Sequence, residues 1–170
     1  MQLLGRDPKF KILVCTPSNA AADLLVERLT KAGLSVRQLF RLNSLSRDKK
    51  SISELVRKFS KALDLLAHRV VLSTCSSATL LQQKPLYIPA GHFSHIFIDE
   101  AAQAEEPLAL IPIAMFANEN TNVILAGDPR QLGPVIKSSA ASTAGLGKSY
   151  LERLMLMSQI YGLKTQGRTT

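Results

Sequence analysis

The segment Phe93-Ser94-His95-Ile96-Phe97-Ile98-Asp99-Glu100 constrains the fold most, because an apolar, strand-forming run stops abruptly at two adjacent carboxylates. Ile96, Phe97 and Ile98 are apolar on both faces, as strands buried within parallel sheets are. Asp99 then falls at the strand's carboxyl end, the edge along which open α/β sheets bind ligands and where a carboxylate can reach a Mg²⁺ ion carried by a nucleotide. Glu100, one residue on, is in position to orient or deprotonate an attacking water. The same pair would also cap a following helix, since carboxylates favour helix N-termini.

A second apolar run, Val123-Ile124-Leu125-Ala126, empties into Gly127-Asp128-Pro129-Arg130-Gln131-Leu132-Gly133-Pro134. Three more strands follow from similar runs, so a parallel α/β sheet is expected with strands near 11–16, 35–41, 69–74, 94–99 and 122–126. Pro17-Ser18-Asn19 turns the first strand into a helix on which Ala22, Leu25, Val26 and Leu29 share a face before Gly33 stops it. Ser51-Ile52-Ser53-Glu54 reads as a capping box for a helix running through Leu55, Val56, Phe59, Leu63 and Leu66. Residues 104–116 should be mainly helical, with Pro107 acceptable in the first turn and Pro112 forcing a kink or break. A last helix is expected over 146–161, with Tyr150, Leu151, Leu154 and Met157 on one face. Gln2-Leu3-Leu4 resembles the last turn of a helix.

At 170 residues the chain is one domain's worth. Hydrophobic residues make up 46% and charged residues 20%, which excludes a disordered segment. No apolar run approaches the roughly 18 residues of a membrane span, and no signal-peptide pattern opens the chain, so no membrane partner and a cytosolic or nuclear compartment are expected. Of the formal charge of +8, all lies in residues 1–70, with 14 Lys and Arg against 6 Asp and Glu; the rest balances at 7 against 7. Such asymmetry either attracts a phosphate backbone through counterion release or is only a solvated face. Cys15 and Cys75 end apolar strands and should be buried, reduced thiols. His92 and His95, without further ligands, fall short of a zinc set.

Together, Asp99-Glu100-Ala101-Ala102-Gln103 and Gly127-Asp128-Pro129-Arg130-Gln131-Leu132-Gly133-Pro134-Val135 resemble motifs II and III of superfamily 1 helicases. Within that superfamily the chain is similar to the up-frameshift-like RNA helicases, and especially to their Armitage or RNA-silencing branch, over nearly all of residues 10–160. The resemblance implies a RecA-like core truncated at both ends: residues 1–161 would be a partial first RecA-like domain and 162–170 a divergent tail. It implies ATP and Mg²⁺ as cofactors, Asp99 holding the metal through the nucleotide (a Walker B site), Glu100 as general base, and Gln131 sensing the γ-phosphate. Asp128 and Arg130 would border the nucleotide and shape its loop. Thr16-Pro17-Ser18-Asn19 resembles motif Ia, so Pro17, Ser18 and Asn19 would touch the nucleic-acid backbone, a role suited to a helix N-terminus. Either Ser18 or Asn19 would cap that helix whatever the function. Ser73 and Thr74 are similar to motif Ic and would touch RNA too.

RNA rather than DNA, silencing or decay proteins as partners, and a cytoplasmic site of action, RNA granules included, rest on the resemblance alone. Phosphoryl transfer also needs a phosphate cradle. Ser142 to Ser149 ends in Gly147-Lys148-Ser149 but lacks the leading glycine and a preceding strand, so the cradle is expected to be absent and ATP binding by this stretch weak. The alternative is a catalytically inactive module that binds RNA or a partner. No G-x-G-x-x-G follows any strand, which disfavours a dinucleotide-binding enzyme. A sheet lacking the strand before the cradle would expose unpaired backbone, so poor solubility is expected.

Overall fold

The computed structural model describes residues 2–61 and 65–161. Five strands form one sheet in the order β2-β3-β1-β4-β5, and every neighbouring pair is parallel. They are β1 Ile12–Thr16, β2 Leu39–Arg41, β3 Val70–Thr74, β4 His95–Ile98 and β5 Asn122–Leu125. Because all run the same way, their carboxyl ends make one edge, and register aligns them there. Cys15 sits beside both Ser73 and Ile98, and Ile98 beside Leu125.

The helices are α1 Gln2–Arg6, α2 Asn19–Lys31, α3 Glu54–Phe59, α4 Glu106–Phe116, α5 Ser139–Ala141 and α6 Tyr150–Tyr161. One core, with Ile12, Ala22, Val26, Leu39, Val56 and Leu72, lies between the sheet and α2 and α3. A second, with Leu13, Val71, Leu81, Ile96, Ala109 and Phe116, lies under α4 and the turns after β3. Burial on both sides explains the unbroken apolar runs of β1 and β3. β5 is the exception. Like β2 it has one strand neighbour among the described residues, but whereas β2 is buried, Asn122 and Val123 are exposed, so its outer row of backbone groups is open.

Several boundaries move from their expected places. Only residues 39–41 of the second run are strand, since Ser35 backbone N and Oγ both donate to Gln38 Oε1 and fold 35–38 into a turn. The cap of α3 is Ser53, whose Oγ accepts from Val56 N at 3.3 Å, rather than a box opened by Ser51. That helix stops at Phe59 with Ser60 as its cap, and Leu63 falls outside the described residues. Pro112 does not break α4; it is buried inside the helix, next to the buried Ala109 and Phe116 that hold this face on the core. α6 begins at Tyr150, where Ser149 Oγ accepts from Glu152 N at 3.1 Å, and Met157 is exposed. Both cysteines are buried and free, and burial pushes the Cys15 thiol up, which keeps it protonated.

Candidate nucleotide and nucleic-acid site

Three adjacent strands, β1, β4 and β5, deliver the sequence-predicted residues to the same edge. Beyond β4, Asp99 N donates to Cys15 O at 2.8 Å, so the first carboxylate leaves the sheet still in register with β1. Asp99 is half-buried, and none of its side-chain contacts with described residues is a hydrogen bond or ion pair. A hard, unengaged carboxylate at a strand end suits a Mg²⁺ ion, which takes oxygen ligands and retains water. Asp99 borders an apolar groove of about 350 Å³ together with Leu3, Leu4, Val14, Phe97 and Ala126.

Glu100 takes a left-handed conformation, φ 56°, which L side chains other than glycine adopt at a cost of roughly 1–3 kcal/mol. Its Oε2 accepts from Gln103 Nε2 at 3.0 Å, a bond that fixes the carboxylate's direction. The two motif loops also lock together. Ala126 N donates to Ile98 O and Ala101 N to Ala126 O, both at 2.8 Å. A Cβ on Gly127 would stand 2.9 Å from Ala102 N and 3.0 Å from Ala101 N, so only glycine lets the loops approach so closely. Gly127→Ala is therefore expected to cost about 1–3 kcal/mol of stability, measured as a lower urea midpoint with an unchanged slope. An unchanged midpoint would mean the loops separate freely.

Asp128 shapes its loop by accepting from Arg130 N at 2.9 Å, with Gln131 N donating to Asp128 O at 3.1 Å. Beyond it Leu132 and Val135 are 86% and 84% exposed. Arg130, Gln131 and Leu132 face Pro17, Ser18 and Gln103 across a cleft of about 940 Å³. Asp99 and Gln131 thus follow neighbouring strands at the carboxyl edge, but they border different cavities.

The Pro17-Ser18-Asn19 turn is held from several sides. Thr16 Oγ1 donates to Ser18 O at 2.8 Å, and Ser18 Oγ caps α2 by accepting from Ala21 N at 3.2 Å. Ser18 itself is exposed, at the mouth of the cleft. Asn19 is engaged inward: its Oδ1 accepts from Arg41 Nη2 at 2.8 Å. Ser73 and Thr74 are buried and their hydroxyls are consumed inside the protein. Ser73 Oγ donates to Thr74 O at 3.0 Å, and Thr74 Oγ1 donates to Ser77 Oγ at 2.8 Å. Neither hydroxyl is presented to a nucleic-acid backbone; the exposed hydroxyl residue after β3 is Ser76.

Sequence reasoning missed Ser76, Gln103 and above all Arg41. Arg41 has a fully buried side chain whose Nε donates to Asp23 Oδ1 at 3.2 Å, and Arg47 donates from Nη2 to Asp23 Oδ2 at 2.5 Å. Burial holds the Arg41 guanidinium below its ordinary value, against the opposing pull of Asp23. The signal was there: an arginine inside the otherwise apolar Leu39-Phe40-Arg41-Leu42 must find a carboxylate.

Residues 35–139 match the family described as an AAA domain. The chain is 41% identical over 153 residues to the RNA helicase Mov10l1 of Homo sapiens, a match covering 87% of this chain and 12% of that protein. It is 35% identical over 183 aligned positions to the probable RNA helicase armi of Drosophila melanogaster, with 91% and 15% covered. Against the probable helicase with zinc finger domain of Homo sapiens it is 35% identical over 160 residues, with 85% and 8% covered. The chain spans less than a fifth of the length of these relatives.

Proposed function

Since the chain belongs to the AAA-domain family, and within it to the up-frameshift-like superfamily 1 helicases related to Armitage, we propose that it forms the nucleotide- and RNA-facing edge of an ATP-dependent RNA helicase. One observation carries the reading: Asp99-Glu100, Asp128 to Gln131 and Pro17-Ser18 leave three adjacent parallel strands at one edge. Residues 1–161 are then part of the first RecA-like domain. Asp99 holds the Mg²⁺ of ATP, which supplies positive charge for the phosphoryl oxygens. Glu100, oriented by Gln103, takes the proton of the attacking water, and Gln131 registers the γ-phosphate across the cleft from Pro17 and Ser18. Asp128 shapes the Gln131 loop, and Arg130 adds positive charge beside the nucleotide. Nucleotide state reaches RNA through the hydrogen-bonded contact of the two loops. RNA silencing or decay in the cytoplasm completes the reading.

The 170 residues contain no G-x-x-x-x-G-K-[ST] sequence, so the phosphate cradle is not among them. This stretch by itself is therefore expected to bind a labelled single-stranded RNA with strong salt dependence, and a fluorescent ATP analogue barely at all. Anisotropy titrations with RNA and DNA strands of one sequence check the first expectation. No RNA binding at low salt would overturn the reading. Saturable micromolar binding of the analogue, abolished by Asp99→Ala, would overturn the expected weakness of the nucleotide site.

A further inference from the structure

Part of the charge excess of residues 1–70 lies at the carboxyl edge, in the loop that follows β2, where Arg47, Lys49 and Lys50 stand against Asp48 alone. Residues 43–51 leave the sheet on the same side as the Pro17–Asn19 turn, with β3 between β2 and β1. This loop is built to stay in place. Arg41, at the end of β2, grips Asp23 and Asn19 of α2, and Arg47, within the loop, grips the same Asp23 and donates to Asn43 Oδ1 at 2.6 Å. Asn43 Nδ2 in turn donates to Ser60 Oγ at 2.7 Å, just past α3. Two guanidiniums share one carboxylate, so the cluster keeps a net positive charge beside the helix that carries the turn.

At the far end of the loop, Asp48 Oδ1 accepts from Lys50 N at 2.9 Å and caps a single turn, Lys49–Ser51. Lys49 and Lys50 are both exposed, and among the described residues neither forms an ion pair. Arg57 Nη2 donates to Lys49 O at 2.7 Å, which brings a third cation alongside, while Glu54 is paired with Lys58. A merely solvated pair of lysines does not call for an anchor that buries a guanidinium at a desolvation cost. An anchored one keeps cations at a fixed offset from the turn, as repeating phosphates require.

We propose that the nucleic-acid path continues from the Pro17-Ser18 turn, past Ser76, onto the 43–51 loop, where Lys49 and Lys50 neutralise two further phosphates. This rests on the RNA-binding reading above. The Arg41-Asp23-Arg47 cluster positions that loop and touches no RNA.

The test measures the salt dependence of single-stranded RNA affinity for the 170-residue chain and for Lys49→Gln/Lys50→Gln. Losing two phosphate contacts should reduce the slope of log K against log salt by about 1.4, at 0.7 per phosphate on a single strand. Both side chains are exposed, so the melting temperature should not move. The control pair Lys9→Gln/Lys31→Gln removes the same charge from exposed positions before β1 and at the end of α2, at the opposite, amino edge. An unchanged slope in Lys49→Gln/Lys50→Gln, or an equal drop in the control, sinks the proposal and leaves the RNA reading standing. No RNA binding by the unaltered chain sinks both.

Discussion

Glu100→Gln is expected to cut RNA-stimulated ATP hydrolysis by about 10²–10⁴-fold, the range a positioned general base supplies. The measurement suits a chimera in which this chain replaces the matching segment of human Mov10l1, because such a chimera supplies the rest of the helicase. Glutamine keeps the side chain's shape but loses the basic oxygen that would take the water's proton. Nucleotide affinity should therefore hold within a few-fold, whereas Asp99→Ala should lose it through the metal. Glu100→Gly separates chemistry from strain. It should abolish hydrolysis equally while stabilising the fold by about 1 kcal/mol, because φ 56° costs glycine nothing. Hydrolysis by Glu100→Gln within threefold of the unaltered chimera would remove Glu100 from the reaction.

Asp23→Ala should be the most destabilising single change in the first half of the chain, at about 3–5 kcal/mol. Its side chain is only 20% exposed and is the sole described carboxylate for both Arg41, with no exposed side chain, and Arg47. Removing it leaves a buried guanidinium with the Asn19 oxygen and the Leu42 carbonyl, neither of which bears a charge. Urea unfolding of the isolated chain reads the effect directly. A loss below about 1 kcal/mol would place the pair with ordinary surface bridges and remove the anchor. The bidentate Arg153 bond to Glu106 is more exposed, and Glu106→Ala should cost less than Asp23→Ala.

The two predictions differ in how readable their residues were. Asp99 and Glu100 stand in one contiguous segment, so their place followed from where an apolar run must stop. The same logic located β1, β3, β4 and β5 almost to the residue. It began β2 four residues too early, because Val36 and Leu39 mimic alternation although the Gln38 side chain closes a turn. It failed again at Ser73 and Thr74, because on a strand buried on both faces a hydroxyl is as easily satisfied inside as out. Asp23, Arg41 and Arg47 were not legible as a unit. They lie on three different elements, where no helical or strand period relates them, and only the packing of α2 against β2 and its loop brings them together.

The strand order has a consequence for how the chain is made. β1 is made before both of its partners, β3 and β4, so Ile12 waits for Val70 and then for His95 before its backbone is paired on both sides. Until then a nascent Ile-Leu-Val-Cys segment stays open to intruding strands, and contacts this distant in sequence close slowly. Slow translation between the segments that encode β1 and β4 should therefore raise the burden on chaperones more than slow translation after β5 does.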